Sequence, residues 1–480
     1  MPFPRTAPPR RRAVSLGRML IANGSVLDVA GRRTADVRVG ADGRVAEVAP
    51  GLKPAPGEET VDASGCLVVP GGVDVHTHMN LPVGQARVSD DFATGTAAAA
   101  VGGTTTIIDY VTTNRGQDPL EALSTWRRWA EPAAVDFGLH MTFTGPATEQ
   151  TVAACIQEGV TSFKVYMAYP ASLQVDDGVL LEILTAVGRH GGLVTTHAEN
   201  GPAIEVLRHR ALAEGRTAVI EHARTRPAEL EAEAVTRAAT LAELAHAPLY
   251  IVHISSARAL DAVRQAKRRG NDILGETCPH YLYLTEDSLE GPDAADFVCT
   301  PPLRRREDQE ELWAGLTDGT VDTVATDHCP FWRADRRKGT QGRPEGFSDF
   351  SEVPGGLPGV ETRMALMWQG VTEGRISAAD WARLCSEAPA RSFGLWPRKG
   401  SLSVGADADV VVWDPEAEQV LDADRLHMRV DHSPYAGRVV KGWPRVVLSH
   451  GRVVARQGAF VGEPGWGRYL VRQARSGARG

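Results

Sequence analysis

Residues 71–78 read GGVDVHTH, an apolar run opened by two glycines and closed by two histidines. In an extended strand residues i and i+2 face the same side, so His76 and His78 point together and can grip one ion. An HxH pair alone is weak, because histidines at strand ends also serve as hydrogen-bonded interior residues. The pattern recurs, however. Lys164 in SFKVYMAY, His197 in LVTTHAEN, His253 in YIVHISS and Asp327 in TVATDHCP each lie at the last residues of an apolar run. That is the strand end at which α/β barrels build their active sites.

Apolar strands are expected near 73–78, 104–110, 136–143, 162–167, 193–198, 249–254, 273–278 and 322–327. Segments of helix-forming composition fall between them at 90–101, 176–190, 227–245 and 256–269, with Arg226-Pro227 marking the start of the third. Repeated β-then-α order implies a parallel, closed sheet, so residues 71–394 are expected to form a (β/α)8 TIM barrel of the α/β class. The polar, glycine-rich stretch 330–360 reads as a loop over the barrel mouth. From Met19 to about Pro70 short alternating runs are separated by Asn23-Gly24 and Asp42-Gly43, both hairpin signals. The same texture returns after Gly400. The two chain ends are expected to build one β-sandwich from 19–70 and 395–465, leaving 1–18 as a disordered leader and 466–480 as a C-terminal tail.

Of the 480 residues, 52 are lysine or arginine and 60 are acids, giving a net charge of -8. That balance argues against nucleic acid or an anionic membrane as the main partner and suits a small neutral substrate. Cys66, Cys155, Cys278, Cys299, Cys329 and Cys385 form no CxxC pair, the pattern of reduced thiols in a cytoplasmic enzyme. The leader carries five arginines and four prolines but no apolar core for a secretory signal. Pro8 and Pro9 would break the amphipathic helix of a transit peptide. No apolar stretch approaches the roughly 18 residues of a membrane span.

Lys164 ends a buried strand, where an isolated ammonium costs several kcal/mol unless its charge is paired or removed. One solution is an ion pair with Asp327. The other is addition of carbon dioxide to the neutral amine, giving a carbamate whose two oxygens can bridge two metals. On the second reading His76, His78 and Asp327 hold one ion and His197 and His253 another, with the modified lysine and a hydroxide shared between them. Nitrogen and oxygen donors suit Zn²⁺. Paired ions of this kind polarise a carbonyl and make hydroxide available at neutral pH. Asp327 can accept the water's proton and pass it to a leaving nitrogen. Tyr169, placed by MAYP at the rim, can donate to an oxyanion.

The motifs HTHMNLP, DDFATGTAAAAVGGTTTIIDYV, DFGLHM, SFKVYMAY, HAENG, RPAELEAEAVTRA, ETCPHYL, TPPLR, TDHCPF and DHSPYAGRVVKGWP stand in the order of the cyclic amidohydrolases. From about Leu20 to Arg472 the chain resembles the dihydropyrimidinase and D-hydantoinase branch of that family. The resemblance implies two Zn²⁺ per subunit on His76, His78, Lys164, His197, His253 and Asp327, with Lys164 carboxylated. It also implies oxyanion and substrate binding by Tyr169, imide contacts from the backbone of Thr300, a cytoplasmic homo-oligomer (tetramer or dimer), and an N-carbamoyl amino acid as product. Three departures from the family stand out. Thr300 replaces a serine before PPLR; Gly355, in Pro354-Gly355-Gly356, replaces an asparagine, so ring recognition there must be backbone-only or different; and Met79, Leu81 and Val83 are expected to line the loop that sorts ring substituents, with Tyr166 across the pocket. Allantoinase is the nearest rival, favoured by Asn80, CPHYL and the PGG loop. Dihydroorotase has an arginine where Asn80 stands, and without that cation a charged ring binds poorly. A non-catalytic scaffold of the same fold would have lost the metal ligands. A serine hydrolase would need a nucleophile elbow, and neither Ser255-Ser256 nor any other serine has that setting.

Overall fold

The computed structural model describes residues 17–28 and 31–475. Residues 1–16 of the expected leader and 476–480 of the expected tail lie outside the described residues. Eight parallel strands pair in chain order: Gly72–Thr77, Thr104–Val111, Asp136–Thr142, Ser162–Tyr166, Leu193–His197, Leu249–Ile251, Ile273–Thr277 and Thr323–Val324. Nearly every residue in them is buried, which is why they read as continuous runs rather than alternating ones: helices cover the outside and side chains fill the inside. The last strand returns to the first through a bridge between Thr77 and His328, beside the His78 N–H bonded to the His328 carbonyl at 2.9 Å. The ring thereby closes at its mouth.

The helices start where the sequence supplies caps. Asp91 accepts from the N–H groups of Ala93 and Thr94, with Thr94 returning a bond to the Asp91 N–H, at the head of Phe92–Val101. Ser256 caps Ala257–Arg268, whose Ala259, Leu260, Ala262, Val263 and Ala266 form the buried stripe, and whose last turn carries Lys267 and Arg268 against the negative helix end. Inside the barrel Val73, Val75, Ile108, Leu193, Tyr250 and Val252 meet Ala390, Phe393, Leu395 and Leu470, which stopper the floor. His76 and His197 lie toward the opposite, C-terminal end of the strands.

The described part of the tail packs tightly. Leu470 is in the floor, and Arg472 donates to Ser162 Oγ at 2.7 Å and to the Leu139 carbonyl beneath the third and fourth strands.

Both chain ends build the sandwich. Its seven-stranded sheet mixes Ser25–Asp28, Gly31–Thr34 and Leu67–Pro70 with Val410–Val420, Val439–Ser449, Arg452–Arg456 and Ala459–Phe460. Its four-stranded sheet uses Met19–Ala22, Asp36–Val39, Val45–Ala49 and Glu59–Asp62. Ile21, Val37 and Val39 face Val68, Val410, Val412 and Leu448 across the core. Asp42-Gly43 does turn a hairpin, between Asp36–Val39 and Val45–Ala49. Asn23-Gly24 does not. The strands on either side of it enter different sheets, the first pairing with 36–39 and 59–62, the second with 31–34 and 67–68. The crossing is tight enough that a Cβ on Gly24 would lie 2.6 Å from Val68 Cγ2, so the left-handed Asn23 (φ 66°) serves a sheet-to-sheet step rather than a two-residue turn. Sandwich and barrel are joined by buried Lys399, whose Nζ bonds Asp136 Oδ2 at 2.5 Å, Asp409 Oδ2 at 2.8 Å and Asp407 Oδ2 at 3.1 Å.

The stretch 330–360 is more ordered than a plain loop. It contains the helix Arg333–Lys338 and a 3-10 turn at Phe350–Glu352, and Arg336 is buried within it.

Candidate metal centre

His76 and His78 leave the end of the first strand on one face, and each presents Nε2 to Asp327 Oδ1 at 3.1 Å. Asp327 reaches that point from a left-handed backbone, φ 51°, which costs a non-glycine residue about 1–3 kcal/mol. The neighbours enforce it: Thr326 is bonded to Asp74 through its N–H at 3.1 Å and its hydroxyl at 2.6 Å, and His328 is bonded to the first strand and to Asp90. On the other side of the mouth His197 Nδ1 stands 3.0 Å from His253 Nε2, and His253 also has a positive φ of 39°. The His76 and His253 rings are 5.4 Å apart. The two pairs therefore adjoin.

Buried carboxylates fix which nitrogen faces inward. Glu276 Oε1, on the seventh strand, takes the His76 Nδ1 hydrogen at 2.6 Å and the His253 N–H at 3.0 Å, leaving His76 Nε2 for the centre. Glu199 Oε2 takes the His197 Nε2 hydrogen at 2.7 Å and is itself held by Arg226 at 2.8 Å, leaving His197 Nδ1 free to bind. Burial disfavours the charged form of His76, but Asp327 and Glu276 override it and raise the group to about 9. Burial lowers His197 and takes His253 well below its ordinary value.

Lys164 is 1% exposed. Its Nζ lies 4.8 Å from the Tyr110 ring, which packs on His76 and His78, and 5.1 Å from the Tyr166 ring, which packs on His197. The amine thus sits between the two histidine pairs. Among the described residues no carboxylate forms an ion pair with it, so the Lys164–Asp327 pair is not made. Burial lowers the amine to about 8, with Asp327 and Glu276 opposing.

The donor set fits metal ions. Bonds of about 2.0–2.1 Å at tetrahedral angles separate two ligand atoms by roughly 3.3 Å, close to the 3.1 Å and 3.0 Å spacings here. The ligand atoms of His76, His78 and Asp327 all lie within 4.8 Å of one another. Among the described residues His78 Nδ1 and His253 Nδ1 are buried without hydrogen-bond partners; the two rings present Nε2 to Asp327 and to His197 respectively.

Tyr169 follows the fourth strand at the rim, with φ 65° and its carbonyl accepting from Ser172 and Leu173 at 3.0 Å and Gln174 at 3.1 Å. Its ring is 5.3 Å from that of His197, and the Arg226 guanidinium lies 5.6 Å over it. Burial pushes the phenol up to about 12, with Arg226 opposing. Thr300 and Gly355 meet across the mouth, where a Cβ on Gly355 would stand 3.1 Å from Thr300 Oγ1. Among the described residues the peptide N–H and C=O groups of both are unpaired. The Thr300 segment is held by His222, which bonds the Cys299 carbonyl at 2.9 Å, and by Tyr281, which bonds the Pro301 carbonyl at 2.6 Å.

Met79 does not line a substrate loop. It is wholly buried against Phe92–Val101, with its Sδ 2.3 Å from where a Gly95 Cβ would be; its N–H is drawn inward by Asp109 at 2.7 Å. Leu81 and Val83 pack on Cys329 and Phe331. Sequence reading missed Glu199, Arg226, His222 and Glu276. A signal for two of them was available: Glu199 is two residues beyond His197, and Glu276 is at a strand end like the ligands it orients.

A model of the amidohydrolase family matches residues 67–454. The chain is 44% identical over 460 residues to a D-hydantoinase of Ralstonia pickettii, covering 95% of this chain and 99% of that protein. It is 44% identical over 464 residues to a D-hydantoinase of Streptomyces coelicolor, covering 95% and 98%. The crystal structure of a dihydropyrimidinase from Brevibacillus agri NCHU1002 superposes with a TM-score of 0.91 at 40% identity, covering 95% of this chain and 99% of that one.

Proposed function

The chain belongs to the amidohydrolase family, and on that premise we propose that it opens a dihydropyrimidine or hydantoin ring by hydrolysing a ring amide bond, yielding an N-carbamoyl amino acid. The observation that carries this reading is the meeting of His76, His78 and Asp327 at 3.1 Å with His197 and His253 at 3.0 Å, around a buried lysine that has no ion pair among the described residues. In this reading His76, His78 and Asp327 would hold one Zn²⁺, His197 and His253 would hold a second, and Lys164, once carboxylated, would serve both. An amine lowered to about 8 has a substantial neutral fraction at physiological pH; it adds carbon dioxide through its lone pair and releases one proton, leaving an anionic carbamate. When bound, the ions polarise the ring carbonyl and supply a hydroxide nucleophile near pH 7.

The chain's own groups do the rest. Asp327 Oδ1 faces the imidazoles, and Oδ2 makes no hydrogen bond among the described residues, so it can take the proton of the attacking water and deliver it to the departing ring nitrogen. Tyr169, neutral far above physiological pH, donates its O–H to the developing oxyanion. The unpaired peptide groups of Thr300 and Gly355 offer a donor and an acceptor to the N–H and C=O of the ring. No side chain at Gly355 contributes.

Cytoplasmic residence and a homotetrameric or dimeric assembly belong to the same reading. Reduced, buried cysteines and the resemblance of the chain support them. No helix among the described residues is long and apolar enough to cross a membrane. Allantoin is the less favoured ring, because HAENG and the tyrosine of SFKVYMAY favour the hydantoinase side, as do the D-hydantoinases to which the chain is similar. The test is the zinc-loaded protein assayed with dihydrouracil, hydantoin and allantoin, following the ureido product. Turnover fastest with the first two is expected; inertness toward every ring refutes the reading.

A further inference from the structure

Arg336 lies on the short helix Arg333–Lys338 above the barrel mouth and is 1% exposed. Among the described residues every hydrogen bond of its guanidinium goes to a backbone carbonyl. Nη1 donates to Ala295 at 2.7 Å, Pro354 at 3.2 Å and Val298 at 3.4 Å, and Nη2 donates to Gly356. Asp296 and Asp431 act on it only through space. A buried cation without a bonded counter-ion is costly, and these carbonyls are what offsets the cost.

The carbonyls belong to two facing segments. Val298 leads into Cys299 and Thr300, while Pro354 and Gly356 flank Gly355. The segments touch at Gly355, whose Cβ would lie 3.1 Å from Thr300 Oγ1, and the Gly356 N–H donates to the Val298 carbonyl at 2.9 Å. Gly356 has φ +147°, open only to glycine. A Pro-Gly-Gly loop with no side chain at 355 has much backbone freedom to lose. Something must restrain it if peptide groups alone are to recognise a ring.

We propose that Arg336 is a positioning residue for substrate: by gathering carbonyls from both segments it sets the spacing of the unpaired Thr300 and Gly355 peptide groups, and hence the fit of the N–H–C=O edge of a five- or six-membered ring. The inference rests on the ring-opening function proposed above. Arg336 touches neither the metal ligands nor the reacting carbonyl, so its loss acts on ring seating.

The experiment uses full-length, zinc-loaded protein as wild type, Arg336→Met and Arg336→Lys. It measures KM and kcat on hydantoin and dihydrouracil, zinc content, melting temperature, and amide hydrogen exchange at 298–300 and 355–356 by mass spectrometry. In Arg336→Met, KM rises tenfold or more, kcat stays within threefold, and exchange quickens in both segments while the barrel strands are unchanged. Arg336→Lys falls between, because one ammonium cannot span both segments; it also carries the test if the methionine variant fails to fold. Wild-type KM and exchange in a folded variant overturn the proposal, as does a fall in kcat at constant KM. A wild-type enzyme inert toward all rings defeats the proposed function instead, and the exchange data then still decide whether Arg336 restrains both segments.

Discussion

Replacing Tyr169 by phenylalanine removes one hydroxyl, and with it a contact to the Thr300 side chain. The ring contacts to His197 at 5.3 Å, Tyr166 at 6.0 Å and the Arg226 guanidinium at 5.6 Å are available to phenylalanine, as are the three N–H bonds to the residue 169 carbonyl. Fold and zinc content should therefore be retained. What is lost is one donor to the oxyanion, for which kcat falls by about 10²–10³, equivalent to about 2.7–4 kcal/mol of transition-state stabilisation. The full figure applies because the phenol, pushed up to about 12 by burial, remains a proton donor across the assay range. KM should stay within about threefold, since the ring is seated by peptide groups and the phenol acts on charge that appears only in the transition state. Steady-state kinetics on hydantoin at pH 7–9, with zinc measured on the same samples, supplies the numbers. A kcat within threefold of wild type, with metal intact, would show that the oxyanion is stabilised elsewhere; a rise in KM alone would make Tyr169 a binding residue.

Three further outcomes are expected. Lys164→Ala should lose metal and activity together and recover part of both with millimolar short carboxylic acids; a fully active, metal-replete variant contradicts the bridging role. Apo-protein refilled with zinc in carbon-dioxide-free buffer should regain activity more slowly than with bicarbonate, and equal rates count against a carbamate. His222, lowered to about 4 chiefly by burial and by Arg226, is held neutral in the fold. Its folded pKa lies below the unfolded one, so the unfolded chain binds the extra proton. The contribution is whole above about pH 6.5 and is lost as pH falls toward 4, a swing on the order of 3 kcal/mol. Denaturant unfolding of wild type and His222→Gln over that window checks it: the variant should show the shallower dependence, and parallel curves refute the assignment.

The eight strands and the neighbourhood of the six candidate ligands were legible because both signals are local, although Lys164 stands in the middle of Ser162–Tyr166 rather than at its end. A strand inside a barrel is a short apolar run, and a side chain at its end is read from the residue that breaks the run. The hairpin expected at Asn23-Gly24 was misplaced for a matching reason: a left-handed dipeptide specifies a bend, but which sheet receives the next strand depends on Val68 and Asp62, some forty residues away. Met79 was misassigned because its neighbours in sequence are site residues while its side chain is claimed by Gly95 across the helix.

Sequence alone determined the barrel, the sandwich from both chain ends and a set of metal-binding residue types at strand ends, since period-two facing and β-then-α order are properties of nearest neighbours. Only the tertiary structure decided which atoms face inward and what restrains them. Glu276 selects the His76 tautomer from 200 residues away, Glu199 and Arg226 fix His197, and Arg336 ties together the 298 and 354–356 segments. Apart from the His197–Glu199 bond, which spans two residues, these hydrogen bonds join groups brought close only by the fold, and no local pattern encodes their partners.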